Sequence, residues 1–306
     1  MQSNSYANNP EWADVQPIPQ DDGENPLVPI AYSREYSEAM DYFRAVARVN
    51  EKSQRVFELT AHIIDMNPAH YTIWQYRQSL LDALKLDLNT ELDFIDVLAE
   101  EKSKNYQIWH HRQVVVEKLG NGSREIAFIN KAIEDDSKNY HAWSYRQWVV
   151  QAFNLWDDEL SYVEDNIRID IRNNSAWNHR YFVVFSRPNA NIDDSTVQRE
   201  VEFSKRMIKI APNNGSSWNY LLGVLRKCGQ SVETLEPFLD ELSKENIQSP
   251  HLLSTKILVY EHAAQKQKRS INDEALKLCD ELALRYDTIR SKYWGYRKSQ
   301  LQAISV

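Results

Sequence analysis

From about Ser33 onward, apolar residues return at intervals of three and four, as in Val56, Leu59, Ile63 and Ile64 and again in Leu92, Ile95, Leu98 and Ala99. That spacing lines one side of an α-helix, so each stretch is predicted to be an amphipathic helix with a buried stripe. Short polar connectors separate the stretches. Before Ser33 the periodicity fades: residues 1–30 carry five of the ten prolines, Pro10, Pro17, Pro19, Pro26 and Pro29. They read as an extended or disordered arm. The expected division is a proline-containing arm at 1–32 followed by helical repeats over 33–306.

The helical pattern itself recurs. One segment is repeated as NPAHYTIWQYR (67–77), KNYQIWHHR (104–112), KNYHAWSYR (138–146), NNSAWNHR (173–180), NNGSSWNYL (213–221) and DTIRSKYWGYR (287–297). Its tryptophans, Trp74, Trp109, Trp143, Trp177, Trp218 and Trp294, are spaced by 35, 34, 34, 41 and 76 residues. The last gap is two periods, and a degenerate copy is expected at SPHLLSTK (249–256), with Leu253 in the tryptophan place. Periods of this length belong to stacked helical hairpins that bury their apolar sides on their neighbours. The expected fold is all-α, an α-solenoid or crescent-shaped superhelix of about seven hairpins. Within a unit, a helix such as 53–66 comes first and a tryptophan-bearing helix such as 69–84 second. Asn67 would cap the second, Pro68 would suit its first position, and Asn105, Asn139, Asn174 and Asn214 would repeat the cap.

Composition narrows the function. Lys and Arg number 36 against 44 Asp and Glu, a net charge of −8, which does not favour nucleic acid as a partner. No apolar run approaches the ~20 residues needed to cross a bilayer, and the N-terminus reads as neither a signal peptide nor an anchor, so no transmembrane segment is expected. Two cysteines, Cys228 and Cys279, build neither a disulfide framework nor a thiolate zinc site, and a reducing, cytoplasmic setting fits them. With 7 glycines and no glycine-rich phosphate loop, dinucleotide and P-loop chemistry is poorly supported, and Gly120-Asn121-Gly122 reads as a turn.

Trp and Arg three residues apart recur as Trp74/Arg77, Trp109/Arg112, Trp143/Arg146, Trp177/Arg180 and Trp294/Arg297. A pair present in nearly every repeat is best read as architecture: a tryptophan wedged between hairpins, an arginine reaching a neighbouring carboxylate. Function should lie where repeats differ. Lys104-Asn105-Tyr106-Gln107 and Lys138-Asn139-Tyr140-His141 share a Lys-Asn-Tyr run. At two adjacent helix starts, free N–H groups, ammonium groups and phenol hydroxyls would attract an anion. The competing reading is solvated lysines and tyrosines filling a groove. The eight histidines show no metal-ligating spacing. His110 and His111 point about 100° apart, and His141 is the better candidate for a proton or hydrogen-bond role.

KNYQIWHHR, KNYHAWSYRQWV and RNNSAWNHRYFV closely resemble the repeats of the protein prenyltransferase α subunit. The resemblance covers about 55–300 and extends to FNLWDDELSYVE (153–164); in length, too, the chain is similar to the α subunits common to farnesyl and type I geranylgeranyl transfer. The resemblance implies half of a heterodimeric enzyme that joins farnesyl or geranylgeranyl, from its diphosphate, to the cysteine thiol of C-terminal CaaX motifs on proteins such as small GTPases. It implies activity only with a β subunit, which holds the catalytic zinc and the isoprenoid pocket, with magnesium accompanying the diphosphate in farnesyl transfer and no metal bound by this chain alone. Carried over position by position, it sets Lys104 at the diphosphate with Tyr140 and His141 beside it. Gln107 takes the place that binds the peptide carboxylate, Tyr71 lines the pocket for the final side chain, and Tyr106 and Asn139 are further substrate-binding candidates. Arg112 and Trp143 support these groups. Which isoprenoid is transferred belongs to the partner. Two other readings stand beside this one: a Rab geranylgeranyltransferase α subunit, and a non-catalytic repeat scaffold.

Overall fold

The computed structural model describes residues 5–188 and 192–304; the first four residues of the expected arm lie outside that range. The chain forms two units, 1–153 and 154–306. Among the described residues the regular structure is helical throughout, with no strand.

In the first unit, α1 (Arg34–Arg48) is followed by three helix pairs: α2 (Gln54–Met66) with α3 (Tyr71–Leu84), α4 (Leu88–Glu101) with α5 (Tyr106–Leu119), and α6 (Glu125–Asp135) with α7 (Tyr140–Ala152). The second unit holds four: α8 (Glu159–Ile169) with α9 (Asn174–Ser186), α10 (Asp194–Ile210) with α11 (Gly215–Lys227), α12 (Glu236–Lys244) with α13 (Pro250–Gln267), and α14 (Asp273–Glu281) with α15 (Ser291–Gln302). These are the tandem hairpins of the α-solenoid class, seven pairs in all among the described residues. The periodic apolar positions become the core: Leu59, Ile63, Ile73, Leu80, Ile95, Ile108 and Val115 are almost fully buried in the first unit. Each such side chain contributes about 1.5–3 kcal/mol of burial.

The recurring tryptophan and arginine have structural duties. Nε1 of Trp74, Trp109, Trp143, Trp177 and Trp218 donates to the main-chain carbonyl six residues earlier, at 2.7, 2.7, 2.9, 2.8 and 2.9 Å. Each indole thus staples the connector ahead of its own helix. The arginine crosses to the next hairpin: Arg77 Nε meets Glu91, Arg112 Nε meets Glu125 and Arg180 Nε meets Glu200, each at 2.7 Å and each buried. The last repeat departs from both rules. Trp294 Nε1 donates to the Asp287 carboxylate at 2.8 Å, and Arg297 turns back to Glu261 in α13 at 2.7 Å.

The capping pattern holds with two corrections. Asn105, Asn139 and Asn214 do cap α5, α7 and α11. The cap of α9 is Asn173, whose Oδ1 accepts the N–H groups of Ser175 and Ala176, and Asn174 is already helical. In the first repeat His70 occupies the cap place, Asn67 instead ends α2, and Pro68 lies in the turn before α3. The register explains both shifts: the cap stands four residues before tryptophan, which selects Asn173 and His70. Ser249 fills that place ahead of Leu253, and its Oγ donates to the Pro212 carbonyl at 2.7 Å, the duty that Asn214 Nδ2 performs on the Ile171 carbonyl at 2.6 Å. Gly120 ends α5 at φ +62°, and a Cβ on Gly122 would come within 2.5 Å of the Phe153 ring, so both glycines are set by the turn.

The arm differs from an extended or disordered reading over its first part. Tyr6–Asn8 and Pro10–Trp12 form short 3-10 turns, and Trp12 is buried against Tyr42 with ring centroids 5.5 Å apart. The Tyr6 hydroxyl lies 2.6 Å from His62 Nδ1, and Arg55 binds Asp14 at 2.7 Å. Two aromatic rings bury enough surface to fix a segment that has no helical periodicity. Residues 19–32 are exposed and non-helical.

Candidate functional site

All nine residues singled out by sequence lie in the first unit. Asn105 and Asn139 start α5 and α7, helices packed side by side. Each asparagine places a tyrosine at the first helical position, Tyr106 and Tyr140, and a polar residue at the second, Gln107 and His141. Both tyrosines are largely exposed, at 60% and 76%, because a side chain at a helix start points away from the stacked core. The two starts meet through rings: Tyr106 and His141 are 6.2 Å apart edge to face, Tyr140 and His141 5.6 Å, and Tyr106 stacks on His110 at 5.9 Å. A groove of about 150 Å³ runs between them, lined also by Gln113, Ser144 and Trp148.

Lys104 sits in the turn between α4 and α5, with a side chain 80% exposed. Its Nζ lies 3.3 Å from Asp136 Oδ2, in the connector that leads to Tyr140. A shared bond fixes the two connectors: Asn139 Oδ1 accepts the N–H groups of His141 and Ala142 at 2.9 and 3.2 Å, while its Nδ2 donates to the Ser103 carbonyl at 3.2 Å. Asn139 is 3% exposed, so its amide is engaged within the chain. The same carbonyl receives Trp109 Nε1.

This arrangement changes the expected source of positive potential. Asn105 takes the N–H groups of Gln107 and Ile108 as Asn139 takes those of His141 and Ala142. The first-turn donors are thus partly occupied, and the attraction for an anion falls on Lys104 and the tyrosine hydroxyls. Gln107 is half-buried at the second position of α5. Tyr71, 70% exposed, opens α3, which packs on α5; its ring partner is His70 at 6.4 Å.

Arg112 and Trp143 lie behind this rim. Both Glu125 oxygens receive the Arg112 guanidinium, at 2.7 and 3.0 Å, Asp96 receives it at 2.5 Å, and it rests 3.5 Å from the Phe128 ring centre. Burial opposes its charge, but the Glu125 contact outweighs that and raises its pKa. Of the adjacent histidines, His110 faces the groove, and His111 is buried, bonded through Nε2 to Glu91 at 2.7 Å. Sequence reasoning missed Ser103, whose carbonyl anchors the turn ahead of Lys104, and Asp136, whose carboxylate lies beside the Lys104 ammonium. The copied run Ser-Lys-Asn-Tyr, 103–106 and 137–140, marks the turn but neither the main-chain carbonyl nor the carboxylate that acts there.

Among the described residues no three His, Cys, Asp or Glu side chains converge on a metal site, and no helix is long and apolar enough to cross a membrane.

Five segments, 53–84, 88–119, 123–153, 156–187 and 197–228, match the family described as protein prenyltransferase alpha subunit repeat. The chain is 58% identical over 221 residues to the protein farnesyltransferase/geranylgeranyltransferase type-1 subunit alpha of Schizosaccharomyces pombe, covering 72% of this chain and 74% of that one. To the subunit of the same description from Dictyostelium discoideum it is 38% identical over 303 residues, covering 95% and 92%. Among solved structures, Candida albicans protein geranylgeranyltransferase-I complexed with GGPP matches with a TM-score of 0.86 at 34% identity, covering 94% of this chain and 98% of that chain.

Proposed function

The chain belongs to the protein prenyltransferase alpha subunit repeat family, within it to the α subunits common to farnesyltransferase and type I geranylgeranyltransferase, and from that premise we propose that it contributes the leaving-group side of a shared active site. In this reading Lys104 balances charge that grows on the departing diphosphate when the thiol of a CaaX cysteine attacks the first carbon of farnesyl or geranylgeranyl diphosphate. Fixed cations and donors aimed at developing charge lower a barrier more than equal contacts made in the ground state. Tyr140 and His141 orient or donate beside the lysine. Gln107 binds the peptide carboxylate through its amide N–H, and Tyr71 and Tyr106 line the peptide's path. Asn139, Arg112 and Trp143 position this rim.

The observation that carries the reading is the exposure of Lys104 beside two helix starts that present Tyr106, Tyr140 and His141 to one groove. A scaffold would have no use for such a rim. Among the described residues no cluster of side chains fits the implied zinc, which the reading assigns to the β subunit, as it does the pocket that selects the isoprenoid; magnesium would travel with the diphosphate. A cytoplasmic setting accompanies it. Co-expression with a farnesyltransferase or geranylgeranyltransferase type I β subunit, followed by assays on CaaX peptides, tests the proposal. Transfer is expected in the heterodimer and in neither chain alone. A heterodimer that acts only when an escort protein presents a Rab substrate would indicate the Rab-specific reading, and a chain that assembles with no β subunit would indicate a scaffold.

A further inference from the structure

Three outer helices carry a buried isoleucine eight residues after their buried glutamate: Ile133 after Glu125, Ile167 after Glu159 and Ile208 after Glu200. In α4 the residue eight past Glu91 is Ala99. One step earlier, α6 has Ala132 where α4 has Leu98 and α10 has Met207. The truncations meet. Between α4 and α6 lies a cavity of about 400 Å³ floored by Ala99, Ala132 and Phe128, a size in the range of small-molecule sites.

We propose that this cavity binds a neutral, mainly apolar small molecule. The charges around it are matched within the chain: Asp96 receives Arg112 at 2.5 Å and Arg124 at 2.8 Å, and Glu100 is paired with Lys131. Asp135, also at the rim, faces water. A charged ligand would have to break these pairs, whereas an apolar one only covers Ala99, Ala132 and Phe128. The wall includes Ser103, whose carbonyl holds Trp109 and Asn139 and which directly precedes Lys104. Occupancy therefore bears on the turn that carries Lys104. The binding is independent of the function proposed above; its kinetic consequence rests on that reading.

The test uses the heterodimer with isoprenoid diphosphate already bound, so that the partner's lipid pocket is filled, and naphthalene-1-methanol as a fluorescent probe. Saturable binding at one probe per α chain is expected, weakened at least about tenfold by Ala99→Ile and, independently, by Ala132→Leu, with thermal unfolding confirming that both variants fold. No saturable binding, wild-type affinity in both variants, or binding by the isolated chain that assembly abolishes would each overturn the site. Binding with an unaltered rate of prenyl transfer would overturn the coupling through Ser103. Intact binding by a heterodimer that transfers no prenyl group would instead count against the function.

Discussion

Asn139 Nδ2 donates to the Ser103 carbonyl across two connectors, one residue before Lys104. One side chain thereby caps α7 and fixes the turn that presents the exposed cation. The two duties can be separated. Asn139→Ala loses both and should destabilise the chain by about 1–2 kcal/mol, the usual worth of an N-cap. Asn139→Asp keeps an acceptor for the His141 and Ala142 N–H groups but has no donor for Ser103, so most of the stability should return while prenyl transfer stays reduced. Urea unfolding and single-turnover rates measure the two; full activity in the Asp variant would mean the tether does not position Lys104.

Lys104 is expected to act on the chemical step. Lys104→Ala should slow single-turnover prenyl transfer by about 10²-fold, a typical loss for one transition-state donor, with little change in folding stability because the side chain is exposed. Asp136→Asn removes the carboxylate 3.3 Å from its ammonium and should leave that rate within a few-fold of wild type. An unchanged chemical step in Lys104→Ala would remove the leaving-group role.

The repeat period, the structural duty of tryptophan and arginine, and the helical class were legible in sequence because each depends on spacing that recurs. Arg112 is a good example: it reaches a carboxylate of the next hairpin as the pattern predicts, as do Arg77 and Arg180, although separations of 13, 14 and 20 residues leave the individual partners Glu125, Glu91 and Glu200 unannounced. Groups that act once were harder. Trp12 belongs to no period, yet it fixes the arm against Tyr42. The tether from Asn139 to Ser103 joins residues 36 apart through a main-chain carbonyl, which no residue type announces. The free helix-start N–H groups expected at the rim are also fewer than the pattern suggested, since the same asparagines that mark the helix starts accept two of them at each helix.

Gln107 separates peptide recognition from chemistry. Gln107→Ala should raise KM for the CaaX peptide while leaving isoprenoid diphosphate affinity unchanged, because an amide N–H reaching a carboxylate contributes to that ligand alone. Steady-state kinetics and direct binding of the diphosphate supply the comparison. Equal weakening of both ligands would show that Gln107 shapes the rim rather than binding the peptide.

Behind the rim, Arg112→Ala strands the buried Glu125 carboxylate and should cost about 3–5 kcal/mol, the range for breaking one side of a buried pair. Replacing both partners, as Arg112→Met with Glu125→Leu, should recover much of that loss, although Tyr145, which donates to Glu125 at 2.7 Å, then loses its acceptor. Denaturant unfolding of the single and double variants gives the coupling; additive losses would show that the pair is not a unit.

The pH dependence of stability follows from His111 and Glu91. Burial holds the His111 pKa below its ordinary value, and the bonds agree with a neutral ring: Nε2–H donates to Glu91 at 2.7 Å and Nδ1 accepts from Gln78 at 3.3 Å. Burial alone would raise the Glu91 carboxyl, but the contacts of His111 and Arg77 overcome it and leave the pKa below the usual carboxylate range. In both cases the unfolded chain takes up a proton before the folded one. Stability from His111 is therefore complete above its unfolded pKa of about 6.5 and falls as the pH drops below it. The Glu91 share is complete above about 4.3 and is lost as the pH falls through its lower folded value. Unfolding free energy measured from pH 7.5 to about 2.5 should decline in two stages. His70 and His251, also held low by burial, add to the upper stage, so His111→Gln, which can still donate to Glu91, should shrink that stage without removing it. A wild-type profile that climbs as the pH falls from 7 to 5 would mean that His111 is protonated in the folded chain and that the Glu91 contact is an ion pair, and an upper stage untouched by the substitution would mean that His111 does not contribute to it.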